Sequence, residues 1–342
     1  MNIKAILDLF KETFAEWTKD KASRLAAALA YSMVFSLAPL LIIVIAIAGS
    51  VFGEEAARGE IVTQIQGLVG KEGAQFIETA INNANKPTQG TIASLISVVV
   101  LIFGATWVFA ELQDALNTIW EVQAKPERGL FNAIRTRFLS FTMVLGIGFL
   151  LLVSLVLSAG LTALISFFGN ALPGIDYLWQ LANFVISFAI TTLLFGLMYK
   201  FLPDVKIAWS DVWIGAALTS VLFSIGRYLL GLYLGNGSFG STYGAAGSLV
   251  IILAWVYYAA QILFFGAEFT QVYARKYGSQ IVPAKNAVPL TDEARAHQGL
   301  QPKHNNQAGQ STDHKPASPN LINRLFRRFT STKRSQRRRN GR

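Results

Sequence analysis

Arg227 is the one charge set well inside an apolar run, Ser210–Leu234. A charged side chain at the centre of a bilayer costs about 2.5–3.5 kcal/mol on insertion scales, so such residues usually face a cavity, a partner or a ligand. An arginine so placed can hold an anionic headgroup. It also lies seven residues before Leu234, close enough for its long side chain to snorkel outward. A second group sits in the first apolar run, Leu25–Phe52, where Ser32, Ser36 and Pro39 share one helical face. A proline within a span frees backbone carbonyls, which serve a ligand or are satisfied by neighbouring helices. A third group lies where two runs emerge. Glu111, Asp114, Asn117 and Glu121 recur at helical spacing at the end of the second, and Glu268 and Gln271 do so at the end of the last. Together they would line a polar vestibule, or pair with Arg135 and Arg137 as interfacial ion pairs of small energetic weight.

Other chemistries lack their residues. Cysteine is absent, and all three histidines (His297, His304, His314) lie near the C-terminus. The apolar body therefore has neither a thiolate nor an imidazole to act as nucleophile, base or metal ligand. Hydrolysis of a phosphodiester generally wants clustered carboxylates on metals, and the candidate cluster is the Glu111, Asp114 and Glu121 row. No P-loop is present, so any transport is passive, gradient-driven or powered by a partner. The chain reads as a non-enzyme without metal or cofactor.

The elements that position these residues follow from composition. Of 342 residues, 52% are hydrophobic and 15% charged, against about 25% charged in soluble domains. Lipid is the implied solvent. The net charge of +10 is unevenly spread: residues 1–268 hold 15 Lys/Arg against 17 Asp/Glu, and residues 269–342 hold 15 against 3. Six apolar runs reach the roughly 20 residues a helix needs to cross. They predict spans near 27–51, 90–111, 138–166, 178–200, 211–234 and 244–268. Ala46-Ile47-Ala48 resembles a signal-peptide cleavage site, but the run preceding it is too long for one.

Residues 3–17 place Ile3, Ile6, Leu7, Phe10, Phe14 and Trp17 at helical spacing. This predicts an amphipathic helix within 1–24, lying in the headgroup plane or packed on the bundle. Two further amphipathic helices are expected within 54–84 on the opposite face. Lys4, Lys11, Lys19, Lys21 and Arg24 precede the first span, Lys125, Arg128, Arg135 and Arg137 follow the second, and Lys200 and Lys206 follow the fourth. By the positive-inside rule both termini are cytoplasmic. Trp17, Trp179, Trp209 and Trp213 fall near span ends, as an interfacial aromatic belt requires. The pattern GxxxG occurs at Gly231–Gly235 and Gly240–Gly244, flanking an outer turn.

The expected architecture is thus an all-α, polytopic membrane protein. Its six-span domain, 25–277, is followed by a disordered basic tail, 278–342, too poor in apolar residues to fold. Within the tail, Leu321, Ile322, Leu325, Phe326 and Phe329 form a stripe beside Arg324, Arg327 and Arg328, and Arg337, Arg338 and Arg339 follow. Such a stripe suits anionic lipid at the inner leaflet, each Lys/Arg contributing about 1 kcal/mol. Its other readings are non-specific RNA binding and a solvated tail that fixes topology.

The order of motifs resembles the YihY/virulence factor BrkB family of bacterial inner-membrane proteins. The resemblance rests on Ala26-Ala27-Ala28-Leu29-Ala30-Tyr31 with Phe35-Ser36-Leu37-Ala38-Pro39, and on Trp107 to Trp120. It continues through Tyr199-Lys200-Phe201-Leu202-Pro203-Asp204, Gly215-Ala216, Tyr243-Gly244 with Gly247, and Trp255-Val256-Tyr257 to Glu268. It covers roughly residues 18–275. What it implies is a six-span fold with cytoplasmic ends in the inner membrane. The family has carried a tRNA-processing ribonuclease label and names tied to serum resistance, and some members are associated with envelope lipid export. The leading expectation is a protein that moves or organises lipid or a lipid-like envelope component. Its alternatives are a small-solute or ion transporter and a structural partner of an envelope complex. The expected partners are membrane lipids, anionic headgroups at the inner leaflet above all, then envelope proteins and a second copy of the chain. No specific nucleic acid is expected.

Overall fold

A computed structural model describes residues 3–84, 91–125, 176–235, 245–279 and 281–302. Among them, five helices are long and apolar enough to cross a membrane. These are α2 (Ala22–Phe52), α4 (Thr91–Ile119), α5 (Asp176–Phe201), α6 (Trp209–Gly235) and α7 (Ala245–Tyr277). The span expected at 138–166 lies outside the described residues. The protein is an all-α membrane protein, and its helices outrun the apolar stretches that announce them. Helix α4 continues from 111 to Ile119 and α7 from 268 to Tyr277. The extensions are apolar on one face only, and that face is buried: Leu112, Leu116 and Ile119 on α4, Phe269 and Val272 on α7.

The first helix, α1 (Ile3–Lys19), divides its apolar residues between two surfaces. Leu9, Thr13 and Glu16 are buried, and Phe10 stacks on Phe265 of α7 at 6.3 Å and meets Phe269 at 5.4 Å. Ile3, Leu7 and Phe14 stay exposed beside a spanning helix, where lipid is the available apolar solvent. Lys21 adopts a left-handed conformation (φ 51°, ψ 44°), and α2 begins directly after it.

Close approach of small residues sets the packing, as expected where burial from water supplies no force between helices. A Cβ added to Gly215 would fall 1.7 Å from Thr270 Oγ1, and one on Gly266 would fall 1.9 Å from Thr219 Oγ1. With Gly226 against Tyr258, these pairs give α6 and α7 one antiparallel register. The Tyr199 hydroxyl donates to the Leu263 carbonyl at 2.8 Å and lies 2.9 Å from Thr219 Oγ1, tying α5 to both. Helices α2 and α4 meet in the same manner, with Pro39 against Gly104 and Phe35 stacked on Trp107 at 6.2 Å.

The segment after α2 is one kinked element, α3 (Glu54–Ala84), broken at Gly70 (φ 79°, ψ 174°), a conformation essentially limited to glycine. Its two arms run antiparallel, since Arg58 of the first pairs with Glu78 and Asn82 of the second. Both arms pack against the spans. Val69, Ile77 and Ile81 are buried in one cluster with Leu41 and Ile45 of α2 and Ile251, Ile252 and Val256 of α7.

The expected disordered tail must be corrected. Residues 281–302 are folded, as β3 (Val282–Pro283), β4 (Ala287–Pro289) and α8 (Asp292–His297). β3 pairs antiparallel with β2 (Val205–Lys206), which follows α5, and β4 pairs with β1 (Val122–Ala124), which follows α4. Their stability comes from backbone pairing with loops elsewhere in the chain, so a low apolar content gives no warning of it. Residues up to Gln301 form one compact unit; the remaining tail, 303–342, lies outside the described residues. The bundle thus has an α1 end, which carries the strands and α8, and an α3 end.

Candidate functional site

Arg227 sits on α6, eight residues and so about 12 Å before the helix ends at Gly235. Its neighbour Gly226 is buried against Tyr258 of α7, which turns Arg227 away from that helix. The side chain is exposed, as are Ile225, Tyr228 and Leu229 around it. It makes no ion pair among the described residues. Among the described residues, the arginine is thus displayed on an exposed, otherwise apolar face of a span.

Ser32 and Ser36 are buried in α2, and the Ser36 hydroxyl has no hydrogen-bond partner. Pro39 is accounted for by its contact with Gly104. Glu268 is fully buried on α7, Glu111 is half-buried and Asp114 is exposed. The three carboxylates thus differ in exposure, from buried Glu268 to exposed Asp114. The row fastens loops. Asn117 donates to Asp204 Oδ2 at 3.0 Å and accepts from the Asp204 backbone N–H at 2.7 Å, while buried Gln271 donates to Glu121 at 3.1 Å. Arg135 and Arg137, and the basic residues Arg324, Arg327, Arg328, Arg337, Arg338 and Arg339, lie outside the described residues.

Two features escaped sequence reasoning. One is an ionic seam at the α1 end. Arg275 of α7 reaches Glu12 Oε1 at 2.5 Å and Glu16 at 3.8 Å, and Lys276 also pairs with Glu12. Burial pushes the Glu12 carboxyl up, but hydrogen bonds from Lys276 and Arg275 outweigh it and hold the group below the usual glutamate range. Glu12 and Glu16 stand one helical turn apart in the sequence, but Arg275 lies 263 residues beyond Glu12, a separation that leaves no local pattern. The other feature is a cavity of about 400 Å³ at the α3 end, between α2 and the α3 hairpin. Ile42, Ile45 and Ile81 give it an apolar wall, and Ser50, Glu54 and Arg58 a polar one. Among the described residues, no group of three or more His, Cys, Asp or Glu is arranged to hold a metal.

Comparison with known proteins agrees with this architecture. The chain is 26% identical over 276 residues to a UPF0761 membrane protein of Psychrobacter sp., covering 80% of this chain and 50% of that protein. It is 29% identical over 251 residues to one of Pseudomonas aeruginosa, covering 72% and 58%. A third, from Mannheimia succiniciproducens, is 25% identical over 269 residues, covering 77% and 88%. The chain spans about half to three-fifths of the length of the first two. No solved structure matches it. A family model described as Virulence factor BrkB matches residues 13–291, most of the sequence and all five described spans, and on that match the chain belongs to the Virulence factor BrkB family of membrane proteins.

Proposed function

We propose that this protein moves or organises lipid, or a lipid-like envelope component, in a bacterial cytoplasmic membrane, without an ATPase of its own. The observation that supports this reading is Arg227. A cation on the apolar outer surface of a span, with no protein counter-ion among the described residues, costs several kcal/mol unless something in the membrane answers it. The membrane's own anion is the lipid phosphate. Its oxygens suit the guanidinium's paired N–H groups, which bind bidentately where an ammonium cannot. Exposure of the charge among the exposed apolar side chains Ile225, Tyr228 and Leu229 favours a lipid over a water-borne solute. Close packing around Ser32, Ser36 and Glu268 favours it too, since a solute carrier would use them to line an aqueous path.

The cavity beside α3 adds support. Its apolar and polar walls fit an amphiphile with a chain on one side and a headgroup on the other. The lysines and arginines of 1–24 place the α1 end in the cytoplasm on this reading, and the α3 end outside. No enzymatic step is assigned, because the body lacks histidine and cysteine.

Exchange of labelled phospholipid between the leaflets of liposomes containing the purified protein tests the proposal. Wild type should accelerate exchange, and Arg227→Ala should lower the protein-dependent rate at least fivefold while inserting normally. A rate unaffected by Arg227→Ala removes the headgroup role, and no acceleration by well-inserted wild type removes the lipid-moving reading.

A further inference from the structure

The segment that follows the last span runs across the described part of the α1 end of the bundle and fastens to each loop there that the structure describes. Ala284 N–H donates to the Asp204 carbonyl at 2.8 Å, beside the β2–β3 pairing, which binds the loop between α5 and α6. Leu290 N–H donates to the Glu121 carbonyl at 2.8 Å and Lys125 N–H to the Asn286 carbonyl at 3.1 Å, flanking β1–β4 and binding the end of α4. Beyond α8, Lys21 donates to the Gly299 carbonyl at 2.5 Å and Arg24 to the Gln298 carbonyl at 2.7 Å, which binds the start of α2. The centre of the last attachment is an ion pair, Arg295 Nη2 to Asp20 Oδ1 at 2.5 Å, with both side chains almost wholly buried.

We infer that residues 281–302 are a releasable strap that holds the α1 end of the bundle shut, with the Arg295–Asp20 pair as its clasp. The ends of α2, α4 and α6 cannot separate while one segment, itself anchored to the end of α7, is fastened to all three. The attachments are also of a kind that lets go. Strands of two and three residues are marginal alone. A buried ion pair recovers little more than its own desolvation, yet is costly to leave half-made, so it selects one closed arrangement without making it very stable. Arg295 Nη1 is buried without a partner among the described residues, a further penalty on the closed form. Segments held in this way open locally at a fraction of the global unfolding cost. The strap is thus suited to gating access to the buried layer beneath it, which includes Leu116 and Glu268. This inference is independent of the identity of anything transported.

The chain contains no cysteine, so one reporter thiol can be introduced without removing any other. Leu116→Cys, in the packed layer below the strap, is treated with a water-soluble maleimide in the full-length protein. The strap should keep this thiol protected. Adding Arg295→Gln should speed labelling about tenfold, and adding Leu290→Pro, which deletes the N–H to Glu121, should speed it further. A separate Ile77→Cys reporter in α3 should stay protected in all backgrounds. Unchanged labelling of Leu116→Cys in the triple variant overturns the inference. So does equal exposure of Ile77→Cys, which would mean that the variants loosen the whole bundle and not one end.

Discussion

At the scale of single residues, the protein's identifiable chemistry comes down to which polar groups have been given protein partners. Tyr199, Thr219 and Thr270 are all answered within the bundle: the Thr270 hydroxyl donates to the Gly266 carbonyl at 2.6 Å and that of Thr219 to the Gly215 carbonyl at 2.7 Å. Arg227 has no such answer among the described residues. Two consequences can be measured. Gly266→Val should be among the most damaging single changes, because its Cβ meets Thr219 Oγ1 and the Tyr199 hydroxyl within 2.6 Å. Overpacking of this kind costs about 1–3 kcal/mol or more, and thermal denaturation in detergent should show a clear fall in midpoint, where Tyr199→Phe should show a smaller one near 0.6 kcal/mol. Second, Glu12 ionises more readily in the folded protein than a free glutamate does. Its contribution is therefore complete above the ordinary glutamate range and is lost as pH falls through its lowered folded value. Hydrogen exchange of α1 amides should rise selectively as the pH falls below the ordinary glutamate range, and Glu12→Gln should remove that pH dependence. Position in sequence alone showed Arg227 to be exceptional. It did not show which way the side chain faces, because the 3.6-residue period fixes relative faces and not which of them meets a neighbour.

Among the elements, what was legible followed the physics that wrote it. Long apolar runs and the Lys/Arg asymmetry are set by lipid, and each described span begins or ends near its predicted bound. Contacts that are short in space but long in sequence left no such trace. Two-residue strands at Val205 and Val282 carry no period to detect, and Asn117 reads as one more polar residue of a row until Asp204 is beside it. The α3 hairpin lies between these cases. Its apolar positions were visible, whereas their burial between α2 and α7 depends on the break at Gly70. That break makes its own prediction. Gly70→Ala forces a side chain into a region costing about 1–3 kcal/mol, although a Cβ there would touch nothing within 4 Å. The loss should thus come from backbone strain alone. Gly59→Ala, which is in the same helix with equally open space and helical geometry, should instead be neutral or mildly stabilising in the same denaturation assay.

At the scale of the molecule, the described helices are organised about α7. It packs against α1, α2, α3, α4 and α6, and its C-terminal extension carries both the ionic seam and the start of the strap. One end is closed by polar, specific attachments and the other by the apolar α3 hairpin with its amphiphile-sized cavity. This asymmetry, together with an exposed arginine on an apolar face of α6, is unlike a central aqueous pore. The counter-ion proposed for Arg227 is a lipid phosphate. Native mass spectrometry of the protein released from mild detergent tests that claim most directly. The account predicts retained phospholipid on the wild type, markedly less on Arg227→Ala and partial retention on Arg227→Lys. Equal retention on all three proteins would contradict it.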